Sequence, residues 1–243
     1  MVFDRRNFLQ TLSAGTLGAI IVGCASNSRI IRPVEGADMV YEGLSLQEVV
    51  EQVRRYTKFF SGTDFFKEEL WVYSSEQRKL YDIGTSENIR FEDLDSEINT
   101  DWQRLMELIL EIHGELIFIH SHYSKRGQSS APSIGDNYKS AKYISILPER
   151  KLKFCVVESN GYWSYRPYGK YVEYWIRYFE FDENGKRRSD KEIKEFLIRK
   201  DTEFYGQLEK EGLYFKSMMD QAKMICEAFH RQWGADVKFY MPK

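Results

Sequence analysis

The chain has 243 residues, 42% of them hydrophobic and 15% aromatic, and 35 Lys and Arg against 37 Asp and Glu leave a formal charge of −2. That length and apolar content suit one domain with extensions or two small ones, and exclude a disordered, collagen-like or multi-span membrane chain. Without a basic excess there is no electrostatic footprint for nucleic acid.

The first residues read as an address. Arg5-Arg6-Asn7-Phe8-Leu9 resembles a twin-arginine export motif, and Leu12 to Val22 is apolar and rich in small residues but too short to span a bilayer. It runs into Ile21-Val22-Gly23-Cys24, which resembles a bacterial lipobox. Residues 1–23 are therefore expected to be a signal peptide, with Cys24 lipidated and the chain exported and anchored to the bacterial cell membrane. The bland alternative is a hydrophobic start with a chance cysteine, and three signals in the right order outweigh it. Residues 24–43, with Ser26-Asn27-Ser28, Pro33 and Gly36, read as a tether.

The folded part is expected to start near Ser45. Ser45-Leu46-Gln47-Glu48 has the form of a capping box, and Val49, Val50, Val53 and Tyr56 come after it at helical spacing. After the break at Ser61-Gly62, Glu68-Glu69 leads into the strand-like Leu70-Trp71-Val72-Tyr73, which can pair with Lys79 to Ile83 across the turn Ser74–Gln77. Trp102, Leu105, Met106, Ile109 and Ile112 lie on one face of a helix that Gly114 stops. His113, in its last turn, suits the negative end of the helix dipole better than a metal.

The run Glu115-Leu116-Ile117-Phe118-Ile119 has the content of a buried strand and delivers His120 and His122 as the apolar residues stop. Residues two apart on a strand share a face, so both imidazoles project into one space. Neutral imidazole nitrogens are common zinc ligands, and Asp136, beyond a loop rich in Gly, Ser and Pro, is placed to be the third. A hydrogen-bonded histidine pair at a sheet rim is the bland alternative. Two of only four histidines in one three-residue window favour the metal.

His120-Ser121-His122, then Pro132-Ser133-Ile134-Gly135-Asp136 and the helix-like Asn137-Tyr138-Lys139-Ser140-Ala141, resembles the signature of the JAMM (JAB/MPN) metalloprotease family. The resemblance covers roughly Glu68 to Arg166. It implies zinc held by His120, His122 and Asp136, Ser133 donating to an oxyanion, and an upstream glutamate as the base. Either Glu68 or Glu69 can fill that role, and register with the family's Glu-x-x-Gly-x-Leu pattern prefers Glu68. A carboxylate beside an activated water takes its proton and later returns it to a leaving amine. The chain departs from the pattern at Tyr123, where the family has Pro, at Trp71, where it has Gly, and in a longer loop after His122.

A helix to about Lys142, a strand at Tyr143–Leu147 and a hairpin of 153–158 with 161–166 over Ser159-Asn160 are expected next. Together these elements describe an α/β fold, a mixed sheet flanked by helices, which is also the JAB/MPN, cytidine-deaminase-like sandwich that the resemblance implies. Residues 44–167 form this metal-binding domain. The remaining 168–243 read as an aromatic strand from Tyr168 to Phe181 and a helical C-terminal extension, with helices from Ser189 to about Arg199 and from about Thr202 to Trp233, the second divided at Gly212. Cys155 and Cys226 suit either a disulfide or buried thiols. The expected protein is a membrane-tethered, extracytoplasmic zinc hydrolase acting on a peptide or protein substrate at a peptide or isopeptide bond. The rivals are an inactive JAMM-like binding or scaffold lipoprotein, and one that binds envelope components through its aromatic tail.

Overall fold

A computed structural model describes residues 41–43, 45–60, 65–66, 68–86, 89–90, 98–100, 102–122 and 130–241. Arg5, Arg6, Cys24, most of the tether and Tyr123 lie outside the described residues. Among those described, no helix is long and apolar enough to cross a membrane.

The protein is an α/β fold with one mixed sheet. Its long strands are β3 (Glu69–Ser74), β4 (Lys79–Ser86), β7 (Glu115–Ser121), β8 (Lys151–Glu158), β9 (Gly161–Pro167) and β10 (Ala235–Tyr240), in the order β4-β3-β7-β8-β9-β10. The short β1 (Tyr41–Glu42) and β6 (Ile98–Thr100) both pair with β4, while β2 (Phe65–Phe66) and β5 (Ile89–Arg90) pair with each other. The sheet thus begins inside the stretch expected to be tether. Among the described strands, only β7 and β8 run parallel. A parallel pair needs a crossover, and helix α3 (Ile134–Ile146) supplies it, so the chain must leave the C-terminal end of β7 and turn back over one face.

Two apolar layers sandwich the sheet. Helix α1 (Leu46–Phe60) starts at the expected capping box, with Glu48 Oε2 accepting from Ser45 N–H at 2.6 Å, and buries Val49, Val50 and Val53 against Ile117, Ile119, Cys155 and Val157. Each such side chain, taken fully from water, contributes about 1.5–3 kcal/mol. The other face carries α2 (Trp102–Glu111), α3, α4 (Val172–Glu180), α5 (Asp190–Lys210) and α6 (Met218–Ala228), over Val72, Leu116, Phe118, Phe154, Val156 and Trp163.

Several expectations are corrected. The stretch 168–181 is no strand: it forms a 3-10 turn and α4, because Val172, Trp175 and Phe179 recur at helical spacing and all three are buried. Tyr143 to Ile146 continue α3, where the Tyr143 ring lies 4.9 Å from that of Phe118 and 6.2 Å from that of Phe154. No break separates Arg199 from Thr202: α5 is continuous through both, and the Thr202 hydroxyl donates to Ile198 O at 2.9 Å within it. Gly212, at φ 86°, does divide α5 from the 3-10 turn Leu213–Phe215 and from α6. Nor is 168–243 an appendage. At Gly234 (φ 59°), where a Cβ would collide with the Tyr171 ring, the chain turns into β10, which pairs with β9 along its whole length. Cys155 and Cys226 are both free thiols, because they pack on opposite faces of the sheet. Burial pushes the Cys155 thiol up to about 12, which makes it inert.

Candidate metal centre

Strand parity builds the site. Along β7, Leu116, Phe118 and His120 face the five-helix layer while Ile117 and Ile119 face α1. His122, one residue past the strand, is still held in register by its N–H, which donates to Val157 O at 2.9 Å. Asp136 comes from the first turn of the crossover helix. Ser133 caps that helix as half of a capping box: its N–H and its hydroxyl donate to Asp136 Oδ2, both at 2.8 Å, and Oγ accepts from Asp136 N–H at 3.0 Å.

The structure brings His120, His122 and Asp136 together as a group able to hold a metal ion, with one candidate ligand atom from each inside 4.8 Å of the others. His120 Nε2 lies 3.1 Å from His122 Nε2 and 3.3 Å from Asp136 Oδ1, and His122 Nε2 lies 3.6 Å from Asp136 Oδ2. Four ligands on tetrahedral arms of about 2.0–2.1 Å stand roughly 3.3 Å apart, a spacing that the two Nε2 atoms and the pair of His120 Nε2 with Asp136 Oδ1 match. Orientation suits it as well. Ser130 O, 3.2 Å from His122 Nδ1, assigns that nitrogen the proton and leaves Nε2 a lone pair, while Ser133 occupies Asp136 Oδ2 and leaves Oδ1 toward His120.

Electrostatics reflect this crowding. Burial works to raise the Asp136 carboxyl, but the imidazoles of His120 and His122, with Lys139, overcome it and hold the group well below the usual carboxylate range. Burial likewise works against the His122 imidazolium, yet Asp136 foremost, then Glu68, the Ser130 carbonyl and Glu158, push its pKa up. The Tyr165 ring packs edge-on to His120 with centroids 6.1 Å apart, and burial keeps its hydroxyl neutral.

The two candidate bases separate by register. Leu70 pairs with His120 and Trp71 with Ile119. Continued by two residues, this places Glu68 opposite His122 on the Leu70–Val72 face, and Glu69 on the α1 face with Trp71 and Tyr73. The charges agree: Glu68 acts on His122, whereas Glu69 acts on Asp82. The Glu69 N–H is held by Ser121 Oγ at 2.9 Å.

Residues missed from the sequence complete the surroundings. Glu158, fully buried, accepts from Ser130 N–H at 2.7 Å. From α5, Asp201 Oδ1 accepts from Ile134 N–H at 2.7 Å, and the Tyr205 hydroxyl donates to Pro132 O at 2.9 Å. Burial, only partly opposed by the Ile134 N–H, pushes Asp201 up to about 6. The one signal in the sequence was Glu158, an acid closing the apolar run Phe154–Val157; nothing local marks Asp201 or Tyr205.

No family model matches the chain, and no curated protein matches it in sequence. Fold and site together define an α/β protein with a His-His-Asp group, His120 buried and His122 and Asp136 partly so, that could hold a metal ion.

Proposed function

We propose that the protein is a zinc-dependent hydrolase of JAMM type that cleaves a peptide or isopeptide bond, exported and tethered to the membrane through lipid on Cys24. The observation that carries this reading is the convergence of His120, His122 and Asp136, with one ligand atom from each within 4.8 Å of the others and the two Nε2 atoms 3.1 Å apart. Zinc bound there would supply Lewis acidity and bring the pKa of a water down to about 7. Glu68, on the histidine face, is the residue that would accept a proton from that water and return it to the leaving amine. Ser133 orients Asp136. For the oxyanion role that the family resemblance gives it, its hydroxyl must turn from Asp136 Oδ2 to the substrate.

The resemblance to JAMM proteins in the His120–Asp136 stretch supports the amide bond as the target. That commitment of the Ser133 hydroxyl favours the second reading, an inactive binding or scaffold lipoprotein. The test is hydrolysis of a panel of peptide and isopeptide amides by the zinc-loaded protein beside Glu68→Gln. Zinc-dependent cleavage lost in the variant supports the enzyme. Stoichiometric zinc with no cleavage leaves the binding module. Cys24→Ala, which should release the protein from the membrane fraction, tests the anchor separately.

A further inference from the structure

Ser130 is gripped through both ends of its residue. Its carbonyl oxygen lies 3.2 Å from His122 Nδ1, and its N–H donates to Glu158 Oε2 at 2.7 Å. The other oxygen of that carboxylate, Oε1, accepts from Trp163 Nε1–H at 3.1 Å. Glu158 closes β8 on the parity of Phe154 and Val156, the histidine side of the sheet, and no part of it reaches solvent.

A carboxylate in such a place is unfavourable unless its oxygens are hydrogen-bonded, and an apolar residue would pack there at lower cost. What the acid adds is a fixed acceptor of defined direction. It holds Ser130 where the carbonyl meets the His122 ring. Trp163, fully buried, fixes the carboxylate in turn.

We propose that Glu158 is a positioning residue for the metal centre: acting through Ser130, it locks His122 as the Nδ1–H tautomer and aims Nε2 at the space shared with His120 and Asp136. The consequence for metal affinity rests on the metal-site reading above; the tautomer does not.

The test uses the full chain as wild type, Glu158→Gln and Trp163→Phe, with thermal melts to establish folding. Side-chain histidine ¹H–¹⁵N spectra of the metal-free protein at about pH 9, above the ordinary histidine value, read the tautomer. Competition with a chromophoric chelator reads zinc affinity. Wild type should show His122 as a single Nδ1–H tautomer. Glu158→Gln should lose it and bind zinc about 10- to 100-fold more weakly, whereas Trp163→Phe, which keeps the Ser130 bond, should retain the tautomer. If the Gln variant does not fold, Ser130→Pro deletes the N–H and leaves Glu158 and Trp163 intact, with the same expectation. A folded Glu158→Gln or Ser130→Pro protein with wild-type tautomer and wild-type zinc affinity overturns the proposal. A wild type that binds no zinc, yet whose tautomer depends on Glu158, sinks the hydrolase and upholds the positioning role.

Discussion

Strand β7 sends alternate side chains in opposite directions, and the two faces have been put to different uses. Toward α1, Ile117 and Ile119 close an apolar layer, and the one polar residue at the strand end, Ser121, is absorbed by the backbone N–H of Glu69. Toward the other helices, Leu116 and Phe118 do the same packing until the strand ends, and there His120 meets His122 and Asp136. The difference comes from topology. The crossover to β8 leaves on this side, so its helix start arrives with a capping carboxylate at the point where the apolar layer stops.

The contrast yields mutations that should part cleanly. Glu68→Gln is expected to lower amide hydrolysis by about 100- to 10,000-fold while zinc stays bound, and Glu69→Gln, on the other face, should leave the rate near wild type. Equal losses in both would erase the distinction that the register draws. Ile119→Ala, one residue from His120 in sequence but packed under α1, should cost about 2–5 kcal/mol of stability in chemical denaturation with zinc stoichiometry unchanged.

How much of this was legible in the sequence depended on distance along the chain. The histidine pair, the helix that follows Asp136 and the hairpin over Ser159-Asn160 rest on residues a few places apart. The family's Glu-x-x-Gly-x-Leu register preferred Glu68 but left Glu69 open, with Trp71 at the Gly position; what separates them is which residue of β3 pairs with which of β7. Glu158, Asp201 and Tyr205 reach partners 28, 67 and 73 residues away, and nothing short of the fold brings them to the site. Misread elements had a local cause too. Aromatic and charged residues from 168 to 181 interleave closely enough to resemble a strand, and burial of Trp175 and Phe179 decided for helix.

Smaller effects probe the same two faces. Tyr205→Phe removes the hydroxyl that holds Pro132 O and should cost about 1 kcal/mol in thermal or denaturant unfolding. It should also weaken zinc binding slightly, since the segment it holds leads into Asp136. The smallest effect belongs to the α1 face. Burial first, then Glu69, pushes Asp82 from its ordinary 3.8 up to about 6. A carboxyl with a raised folded-state pKa is favourable to folding in its neutral form, so its contribution is present below about 3.8 and is lost as pH rises to about 6. Asp82→Asn should flatten the stability–pH curve across that window and be more stable than wild type at neutral pH, without altering the metal site.

The most direct measurement is the zinc content of the protein after equilibration with the metal, for wild type, His120→Ala, Asp136→Ala and Ile119→Ala. About one zinc per chain is expected in wild type and in Ile119→Ala, and none retained in the other two. A wild type that holds no metal, or a His120→Ala protein that keeps it, would contradict the metal centre on which the proposed chemistry depends.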